Sequence, residues 1–583
     1  MRGLVAALLG ACVLAGHTAQ AAGAPALDER APLLARPWPS DPQKFTFAIL
    51  ADRWSGGEGN WPIYDRAVDE INLLRPDFVI TIGDMISGHT LDRRVWDAEW
   101  QEYFEHARRL EVPLLFIPGN HDISNPEMYA WWQEDRGRTC YSFTYRGCHF
   151  LLLDTEEERL DGRGERWEAQ MRFALDDLAA NAAARHTFIF MHKPMWREAS
   201  YAPDWARIEA ALGRRPATIF GGHWHVLDYE RRSGRKYVVL AATGGGVGGN
   251  RDRRFGGFQQ YTQVTVEGDS ARVAIIEPGG SMWPEDVAPR SFREGASKLV
   301  ALEGRLVGPS PADSATVSLA ARLTNTLPDT VAVGISLGGV RRAGWRLLGG
   351  PDSVAATVPP GEQRRIDLPS VRGPAEGLHA PPYVPYTMRS SAGWTLRGAR
   401  GVPFLPDSAV KVVPKWMVVG PFDIAPLDVS LLPADPRRAM PRVFEGRGPE
   451  VGWSESAAFR EGDRTLRWRI AKTDEARSLD FNALFGTRDH ALGYALCGVY
   501  SPTARRTWAL VSGDNFVQVL VNGRLLDDGQ LYGRTNELRY VALPLKRGWN
   551  TLLVRLVNNS GDWALSVLIA DMAGDLRFAP HPE

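Results

Sequence analysis

The 583-residue sequence lacks several features that would assign it directly to a class of protein. It has no excess of one charge, since 68 Lys and Arg residues balance 69 Asp and Glu residues, so nothing favours a nucleic acid or an anionic membrane as the main partner. Beyond the N-terminal segment, no apolar run is long enough for a transmembrane helix. With 44% hydrophobic and 23% charged residues, the chain is neither fibrous nor disordered, and its length predicts about three or four domains.

Cysteine is also scarce. Outside the N-terminal segment the sequence has only Cys140, Cys148 and Cys497, an odd number that excludes a complete disulfide framework. A turn at Arg146-Gly147 would pair Tyr145 with Cys148, and in that register Cys140 and Cys148 do not face each other. We therefore expect small buried thiols rather than a bridge.

The N-terminal segment has the parts of a secretory signal peptide. One positive charge at Arg2 precedes an apolar run from Leu4 to Gly16, and an Ala-x-Ala site follows at residues 19–21. The sequence therefore predicts a signal peptide over residues 1–21 and an exported protein, periplasmic or secreted. A lipoprotein anchor at Cys12 and a buried N-terminal helix are the less favoured alternatives.

Residues 44–285 alternate apolar strands with amphipathic helical segments, which predicts a layered α/β domain. The strand candidates are apolar on both sides, as in sheets covered on both faces: Phe45–Ala51, Phe78–Ile82, Leu114–Ile117, His149–Leu153, Thr187–Met191, Thr218–Phe220 and Tyr237–Ala241. Helical spacing of apolar residues recurs around residues 63–74, 167–178 and 205–212.

After about residue 290 the helical spacing gives way to short alternating runs separated by Gly, Pro and Asn. Asn522-Gly523 between two apolar runs is a strong hairpin signal. A Pro- and Gly-rich stretch divides this half, so we expect two all-β sandwich domains, an immunoglobulin-like one at 293–402 and a second at 406–575.

Polar clusters directly follow five of the α/β strands. They contain three Asp, one Asn and four His residues: Asp52, Asp84, Asn120, His121, Asp122, His192, His223 and His225. Open α/β sheets bind ligands at the carboxyl ends of their strands, so the clusters are expected to meet in one crevice. Without Cys, the set suits hard-to-borderline divalent metals, and Asp84, which follows a glycine and offers two oxygens, is the natural ligand to bridge two ions.

The series Asp52, Gly83-Asp84, Gly119-Asn120-His121-Asp122, His192 and Gly222-His223-Trp224-His225 resembles the calcineurin-like metallophosphoesterase family. The resemblance implies an α/β (α+β) four-layer fold, in which two sheets are flanked by helices, and a dinuclear metal centre. It assigns Asp52, Asp84 and His225 to one metal, and Asp84, Asn120, His192 and His223 to the other. It also implies that His121 donates to the phosphate or protonates the leaving oxygen, with Asp122 orienting it.

The family's first motif is Asp-x-His, whereas this sequence has Asp52-Arg53-Trp54. Indole has no free lone pair, so the first site is expected to bind its ion more weakly unless waters or His89 replace the missing ligand, or the centre works with one ion. Arg53 is either a surface ion-pair partner or a clamp on the substrate phosphate, helped by the N–H groups of residues 55–57. The Asp-Arg-x-x-Gly pattern also resembles a bacterial subgroup of the family.

These observations predict an exported metal-dependent phosphoesterase that hydrolyses a phosphate mono- or diester through a metal-bound hydroxide. Mn, Fe, Zn and Co all suit the ligands. The alternative is a weakened or inactive phosphoesterase fold that acts as a cell-surface or glycan-binding module. The segment Thr243–Gly249 is expected either to form a rim of the pocket or to be an ordinary surface loop. Asp154 is expected either to line the pocket or to belong to a structural turn.

The last domain resembles the galactose-binding-like jelly rolls of secreted bacterial enzymes. The resemblance rests on the stretch 416–422, on 508–521 and on Gly548-Trp549-Asn550. Exposed tryptophans in such domains stack on sugar rings, but Trp549 and Trp563 are expected more often to be core residues. Glycan binding by this domain is therefore an open expectation.

Overall fold

The structure is a computed structural model, and its description covers residues 44–54, 61–161, 163–248, 250, 252–307, 314–343, 345–374, 378–379, 382–405, 407–424, 456–486, 488–514, 516–526, 531–532, 539–559 and 561–581. The predicted signal peptide, Cys12 and Ser55-Gly56-Gly57 lie outside these residues. The chain divides into two units, residues 1–294 and 295–583. Among the described helices, none combines the length and apolar character needed to cross a membrane.

The described part of the first unit contains two six-stranded sheets. In spatial order the first consists of β12 (Met282–Pro284), β11 (Ser270–Ile276), β10 (Tyr261–Glu267), β1 (Lys44–Leu50), β2 (Phe78–Thr81) and β3 (Leu114–Phe116). The second consists of β4 (Tyr141–Tyr145), β5 (Cys148–Leu153), β6 (Thr187–Met191), β7 (Ala217–Gly221), β9 (Arg235–Val239) and β8 (Asp228–Arg232). Neighbours run parallel from β1 to β3 and along β5, β6, β7 and β9.

Within the described residues, seven α-helices accompany these sheets: α1 (Trp61–Leu74), α2 (Arg93–Ala107), α3 (Pro126–Asp135), α4 (Glu157–Asp161), α5 (Glu165–Ala180), α6 (Ala202–Leu212) and α7 (Arg290–Lys298), the last of which includes the residues at which the two units divide. The helices α1, α5 and α6 and all seven predicted strands are found, with ends that differ by at most two residues for the strands. The helices α2 and α3 were not predicted, although Asp92 and Asn125 cap their N-termini through hydrogen bonds to backbone N–H groups.

The apolar side chains of the first unit explain its layering. Phe47 of β1 contacts Phe188 of β6 at 5.1 Å between ring centroids, so the two sheets pack against each other. The opposite face of the first sheet packs on α1, α2 and α3, and that of the second sheet packs on α5 and α6. Both sheets are therefore covered on both faces, as the uniformly apolar strands predict.

The second unit is built almost entirely from strands. Two four-stranded sheets come first, in the orders β13 (Val300–Val307), β14 (Ser314–Thr324), β18 (Gln363–Pro374), β16 (Arg346–Leu347), and β17 (Ser353–Val358), β15 (Val331–Ser336), β20 (Tyr383–Ser390), β21 (Thr395–Gly401). A third sheet has the order β19 (Leu378–His379), β33 (Arg539–Leu545), β29 (Arg505–Gly513), β35 (Ala564–Ala570), β22 (Val410–Val412), with β27 (Leu479–Asp480) on β35.

A fourth sheet has the order β26 (Arg469–Lys472), β23 (Lys415–Asp423), β28 (Ala491–Ser501), β34 (Gly548–Asn558), β30 (Phe516–Val521), β31 (Arg524–Leu525), with β32 (Leu531–Tyr532) on β30 and β36 (Arg577–Ala579) on β28. The pair β24 (Ala458–Glu461) and β25 (Arg464–Arg467) and the short helix α8 (Phe481–Phe485) complete the described strands and α-helices of this unit. The predicted hairpin is confirmed, because Val521 pairs with Arg524 and both Asn522 and Gly523 have positive φ.

The side chains that carried the remaining structural expectations are also located. Cys140, Cys148 and Cys497 are free thiols, and Tyr145 pairs with Cys148 as predicted. Trp563 is only 1% exposed and belongs to the core of the second unit, while Trp549 is partly exposed.

Candidate metal centre

The polar clusters meet because of strand order. Asp52, Asp84 and Asn120 follow β1, β2 and β3, which are parallel neighbours in one sheet. His192 and His223 follow β6 and β7, which are parallel neighbours in the other. Since the carboxyl ends of parallel strands meet at the same edge, each sheet brings its own ligands together, and the packing of the sheets joins the two sets.

Two overlapping groups of side chains have ligand atoms within 4.8 Å of one another. The first consists of Asp84, His192 and His223, and the second of Asp52, Asp84 and His225. Asp84 belongs to both groups, which is the place predicted for a bridging ligand. The Oδ1 atom of Asn120 lies 3.1 Å from Nε2 of His192, beside the first group.

The backbone fixes which imidazole nitrogen faces the centre. Nδ1 of His192 donates to the carbonyl of Ile82 at 2.9 Å, and Nδ1 of His225 donates to the carbonyl of Gly246 at 2.7 Å. The Nε2 atoms then face the carboxylates, 3.3 Å from Asp84 Oδ2 for His192 and 3.5 Å from Asp52 Oδ1 for His225. A carbonyl that holds Nδ1–H in this way leaves Nε2 as the metal-ligating atom.

The carboxylates are held by backbone donors and keep oxygens for a ligand. The N–H of His223 donates to Asp52 Oδ1 at 2.8 Å, and the N–H of His121 donates to Asp84 Oδ1 at 2.9 Å. Asp52 is fully buried, and its Oδ2 atom has no hydrogen-bond partner in the structure. A buried, unpaired carboxylate oxygen is costly, and a divalent cation satisfies it, so these residues fit the metal that their donor chemistry predicts.

The pKa values show opposed charges in a buried cage. Burial raises the pKa of Asp52 to about 6 against the opposing fields of His225 and His192. Burial alone would raise the pKa of Asp84 too, but His192 and His121 hold it well below its usual range. Burial alone would lower the pKa of His192, but Asp84 and Asp52 raise it to about 10. The cage without metal therefore retains a proton in the place that a cation would take.

The cage also requires unusual backbone. Asp52, Asp84, His223 and His225 all have positive φ, between 44° and 71°, which is rare for residues with a side chain. At Gly119 an added Cβ would lie 2.3 Å from Asp84 Oδ1 and 2.6 Å from its backbone nitrogen. Only glycine allows the loop after β3 to approach the bridging carboxylate this closely.

His121 lies at the edge of the cage, but Asp122 does not orient it. Nδ1 of His121 donates to the carbonyl of Ser87 at 2.7 Å, and burial lowers its pKa to about 4. The Asp122 carboxylate instead accepts backbone N–H groups from Met85, Ile86 and Gly119. The orienting role expected of Asp122 is therefore corrected: it ties the loops after β2 and β3 together, and a backbone carbonyl orients the imidazole.

Arg53 is neither a surface residue nor directed at the cage. It is 4% exposed, and its Cζ lies 3.4 Å from the ring centroid of Trp61 on α1. The His106 ring stacks on the same indole at 3.8 Å and 4°. Two planar groups this close to one ring must occupy opposite faces, so the guanidinium, the indole and the imidazole form a stack. This placement argues against both the surface ion pair and the phosphate clamp expected for Arg53.

The structure also places Trp54, His89 and Asp154, the other residues considered for the site. Trp54 donates its backbone N–H to the carbonyl of Asp84 at 2.9 Å. His89 packs edge-on against His121 at 4.6 Å, and neither three-ligand group among the described residues includes it. Asp154 is fully buried and accepts the N–H of Glu156, which is the turn arrangement rather than a pocket wall.

The glycine-rich segment Thr243–Gly249 is tied to the cage, as far as its described residues show. The N–H of Thr243 donates to the carbonyl of Ala51, and that of Gly245 donates to the carbonyl of Asp52. The carbonyl of Gly246 holds His225. Sequence reasoning missed this role, as it missed those of Ser87 and Ile82, because a backbone carbonyl carries no residue-type signal.

The fold and the cage together define the class to which this unit belongs. It is a layered α/β domain with a candidate dinuclear metal centre, formed by Asp, Asn and His residues at the strand ends. Residues 40–227 match the profile of the family described as calcineurin-like phosphoesterase, so this part of the chain is a calcineurin-like phosphoesterase domain and the predicted family is confirmed. The predicted class of enzyme, a hydrolase of phosphoesters, is confirmed with it.

Among the relatives found, a serine/threonine-protein phosphatase CPPED1 from Bos taurus is 27% identical over 224 residues, which are 33% of this chain and 67% of that protein. The 3',5'-cyclic adenosine monophosphate phosphodiesterase CpdA from Escherichia coli K12 is 25% identical over 200 residues, 32% of this chain and 69% of that protein. Among solved structures, a dimetal phosphatase from Danio rerio has 15% identity and a TM-score of 0.34, covering 42% of this chain and 98% of that one.

Proposed function

We propose that the first unit hydrolyses a phosphate mono- or diester at a two-cation centre. The observation that carries this proposal is the sharing of Asp84 by two groups of ligand atoms, each within 4.8 Å. A single carboxylate common to two such groups is the arrangement that two adjacent ions require. The relatives named as a protein phosphatase and as a cyclic nucleotide phosphodiesterase support both kinds of ester as candidates.

Asp52, Asp84 and His225 would hold one cation, and Asp84, Asn120, His192 and His223 would hold the other. When bound, divalent cations supply Lewis-acid activation of the attacking water and neutralise charge on the phosphoryl oxygens, and Mn, Fe, Zn and Co all suit this donor set. The protein's part is to fix the donors, which it does through N–H groups on the carboxylates and carbonyls on the imidazoles.

His121 is proposed to handle a proton through Nε2. Its Nδ1–H is held by the Ser87 carbonyl, so Nε2 is the atom left for a substrate oxygen. Its backbone N–H is bound to Asp84, which fixes the imidazole relative to the bridging carboxylate. An imidazole of fixed tautomer beside the reacting phosphoryl group is suited to protonate the departing oxygen once it has itself gained a proton.

The first cation site is proposed to be the weaker one. Position 54 carries Trp in place of the family's His, which leaves three protein side chains for that site and four for the other. This proposal is supported by His89, which packs on His121 and belongs to neither ligand group among the described residues.

We propose further that the elements of the first unit form the four-layer sandwich of the family, with boundaries near 44–285, and that two β-sandwich domains follow at 293–402 and 406–575. The layers that pack around the two sheets support the first point. Export after cleavage of a signal peptide at residues 1–21 is a separate proposal, supported by the sequence of that segment. N-terminal sequencing of protein secreted from a bacterial host tests it.

The test of the proposed activity pairs cation analysis with turnover. Purified protein loaded with Mn²⁺ or Zn²⁺ is assayed with a phosphate monoester, p-nitrophenyl phosphate, and with a cyclic nucleotide diester. We expect up to two ions per chain, the second bound more weakly, and turnover of at least one ester. Two tightly bound ions without turnover of either ester class would contradict the proposal.

A further inference from the structure

The outer face of the sheet formed by β17, β15, β20 and β21 carries a groove of about 540 Å³. Along β15, Val331, Val333 and Ile335 are buried, so that face of the strand lies in the core. The alternate residues Ala332 and Gly334 point the other way and form part of the groove floor.

Register places the lining residues in two rows across the strands. Thr357 of β17, Ala332 of β15 and Arg389 of β20 are direct neighbours in one row. The second row consists of Ala355, Gly334 and Thr387. The floor is therefore made of small side chains and threonine hydroxyls, and an added Cβ at Gly334 would meet no atom within 4 Å.

The charge of the groove has one sign. Arg364 and Arg389 are the charged residues among those that line it, and no acidic residue lines it within the described part of the chain. Arg389 lies on β20, whereas Arg364 lies near the start of β18, after the turn that follows β17, so two different strands supply the arginines of the groove. Arg364 also pairs with Glu362 at 3.1 Å, but both partners are about half exposed, which leaves the pair weak.

We propose that this groove binds a linear anionic polysaccharide. Guanidinium groups pair with carboxylate, sulfate or phosphate groups, and two of them from different strands allow contacts to successive anionic groups of one chain. Threonine hydroxyls on an open floor suit a polyhydroxylated chain. Among the described residues that line the groove there is no aromatic ring, so they offer neutral sugars and nucleobases no stacking surface. The central floor strand β15 is paired on both sides, so a chain lying along the middle of the groove meets side chains rather than free backbone groups.

This site differs from the sugar-stacking role expected of the last domain, whose Trp563 is buried. It is also independent of the phosphoesterase activity, because none of its residues belongs to the cage of the first unit.

Binding of the full-length protein to polygalacturonate, measured by calorimetry at low salt, tests the proposal. We expect saturable binding that weakens as salt is added, and no binding of neutral dextran. The double variant Arg364→Ala with Arg389→Ala is expected to bind at least about tenfold more weakly. Dextran sulfate and a phosphate-bearing polysaccharide, run in parallel, distinguish which anionic group the guanidinium groups prefer.

A matched control removes the same charge elsewhere. Arg305→Ala with Arg322→Ala changes two exposed arginines on the other four-stranded sheet of this region, in β13 and β14, neither of which contributes a residue to the groove. Polygalacturonate affinity is expected to stay within about twofold of the wild type in this control. An equal loss in both double variants would overturn the proposal, because the effect would then belong to net charge and not to the groove.

A steric variant tests the position without changing charge. Gly334→Tyr places a ring in the open groove, and the φ of Gly334 lies outside the left-handed region, so the strand accepts a side chain. We expect polygalacturonate binding to be lost while the melting temperature is kept. Unchanged binding by Gly334→Tyr would overturn the site, and equally tight binding of polyglutamate or single-stranded DNA would overturn the assignment to polysaccharide.

Discussion

The two units of this chain differ in how many non-glycine residues have a strained, left-handed backbone. Among the described residues, nine non-glycine residues of the first unit have positive φ, against three of the second, Arg477, His490 and Asn522. Four of the nine are candidate metal ligands. In the second unit, Asn522 belongs to a tight hairpin turn where Asn is ordinarily found.

The buried cores of the two units also differ in the charged side chains that they contain. The second unit buries Val, Leu and Trp side chains, including Trp416 and Trp563, between its sheets. The first unit has apolar cores as well, but it also buries Asp52, Asp84, Asp122 and His192 at one edge of its sheets. Backbone strain and buried charge that apolar packing does not require are typical of functional sites. In the first unit both are found at the same edge of the sheets.

The largest expected effect comes from removing the shared ligand. Asp84→Ala takes a carboxylate from both groups of the cage, so we expect turnover to fall by roughly a hundredfold or more and cation content to drop. Turnover of p-nitrophenyl phosphate or of a cyclic nucleotide, with metal analysis, checks this. Asp204→Ala is the matched control, since it removes a carboxylate that is also buried but that binds Trp167. Turnover by Asp84→Ala equal to that of the control would break the comparison.

His121→Ala separates chemistry from cation binding. We expect turnover to fall about 10²- to 10⁴-fold, the usual contribution of a positioned acid or base, with cation content unchanged. The control is His186→Ala, a buried imidazole at the opposite end of β6. If cation content fell as far as turnover, His121 would be part of the metal site and not a proton-handling residue.

A glycine from each unit, Gly119 and Gly334, allows the same substitution by alanine to be compared between the two units. Gly119→Ala forces a Cβ to within 2.3 Å of Asp84 Oδ1, so we expect a loss of about 1–3 kcal/mol in the free energy of unfolding and weaker cation binding. Gly334→Ala adds the same methyl group to open space and is expected to change stability by less than about 0.5 kcal/mol. Urea unfolding of both variants measures the difference, and equal costs would show that the cage is not tightly packed.

Cation affinity is expected to rise with pH. Asp84 and Asp52 raise the pKa of His192 to about 10 against the effect of burial, so between pH 6 and 8 a cation must displace a proton. Release of one proton makes the affinity increase about tenfold per pH unit, and the increase ends above the pKa of His192. Calorimetric titration with Mn²⁺ in buffers of different ionisation enthalpy measures both affinity and proton release, and a flat pH profile would contradict it.

The smallest effect concerns Arg53. Because its guanidinium stacks on Trp61, we expect a double-mutant cycle of Arg53→Ala and Trp61→Ala to give a coupling of about 0.5–2 kcal/mol in the free energy of unfolding. Turnover per bound cation should change little, in contrast to the phosphate clamp expected from the sequence. A large fall in turnover at unchanged stability would restore the clamp.

Sequence patterns were most informative where a residue's own chemistry carries the signal. The strand Thr187–Met191 was predicted with the bounds that the structure shows, because a short run of mostly apolar residues can be recognised from the sequence alone. The helix α2 was missed although Trp96, Trp100, Tyr103 and Ala107 form one buried stripe, since its other residues are mostly charged. The contacts of Asp122 with Met85 and of Arg53 with Trp61 were not foreseen, because neither the backbone N–H that Asp122 accepts nor the direction in which Arg53 points carries a signal in the sequence.

The sequence by itself determined the donor set: residues of metal-binding type, each after an apolar strand, in an order that resembles one family. Their chemistry and local position are properties of the chain alone. Only the tertiary structure decided that Asp84 is common to two groups of ligands, that carbonyls of Ile82 and Gly246 select the nitrogen each imidazole presents, and that Arg53 turns onto α1. The cage depends on hydrogen bonds between segments far apart in sequence, such as Asp52 and His223, which are 171 residues apart, and such contacts exist only once the two sheets have packed.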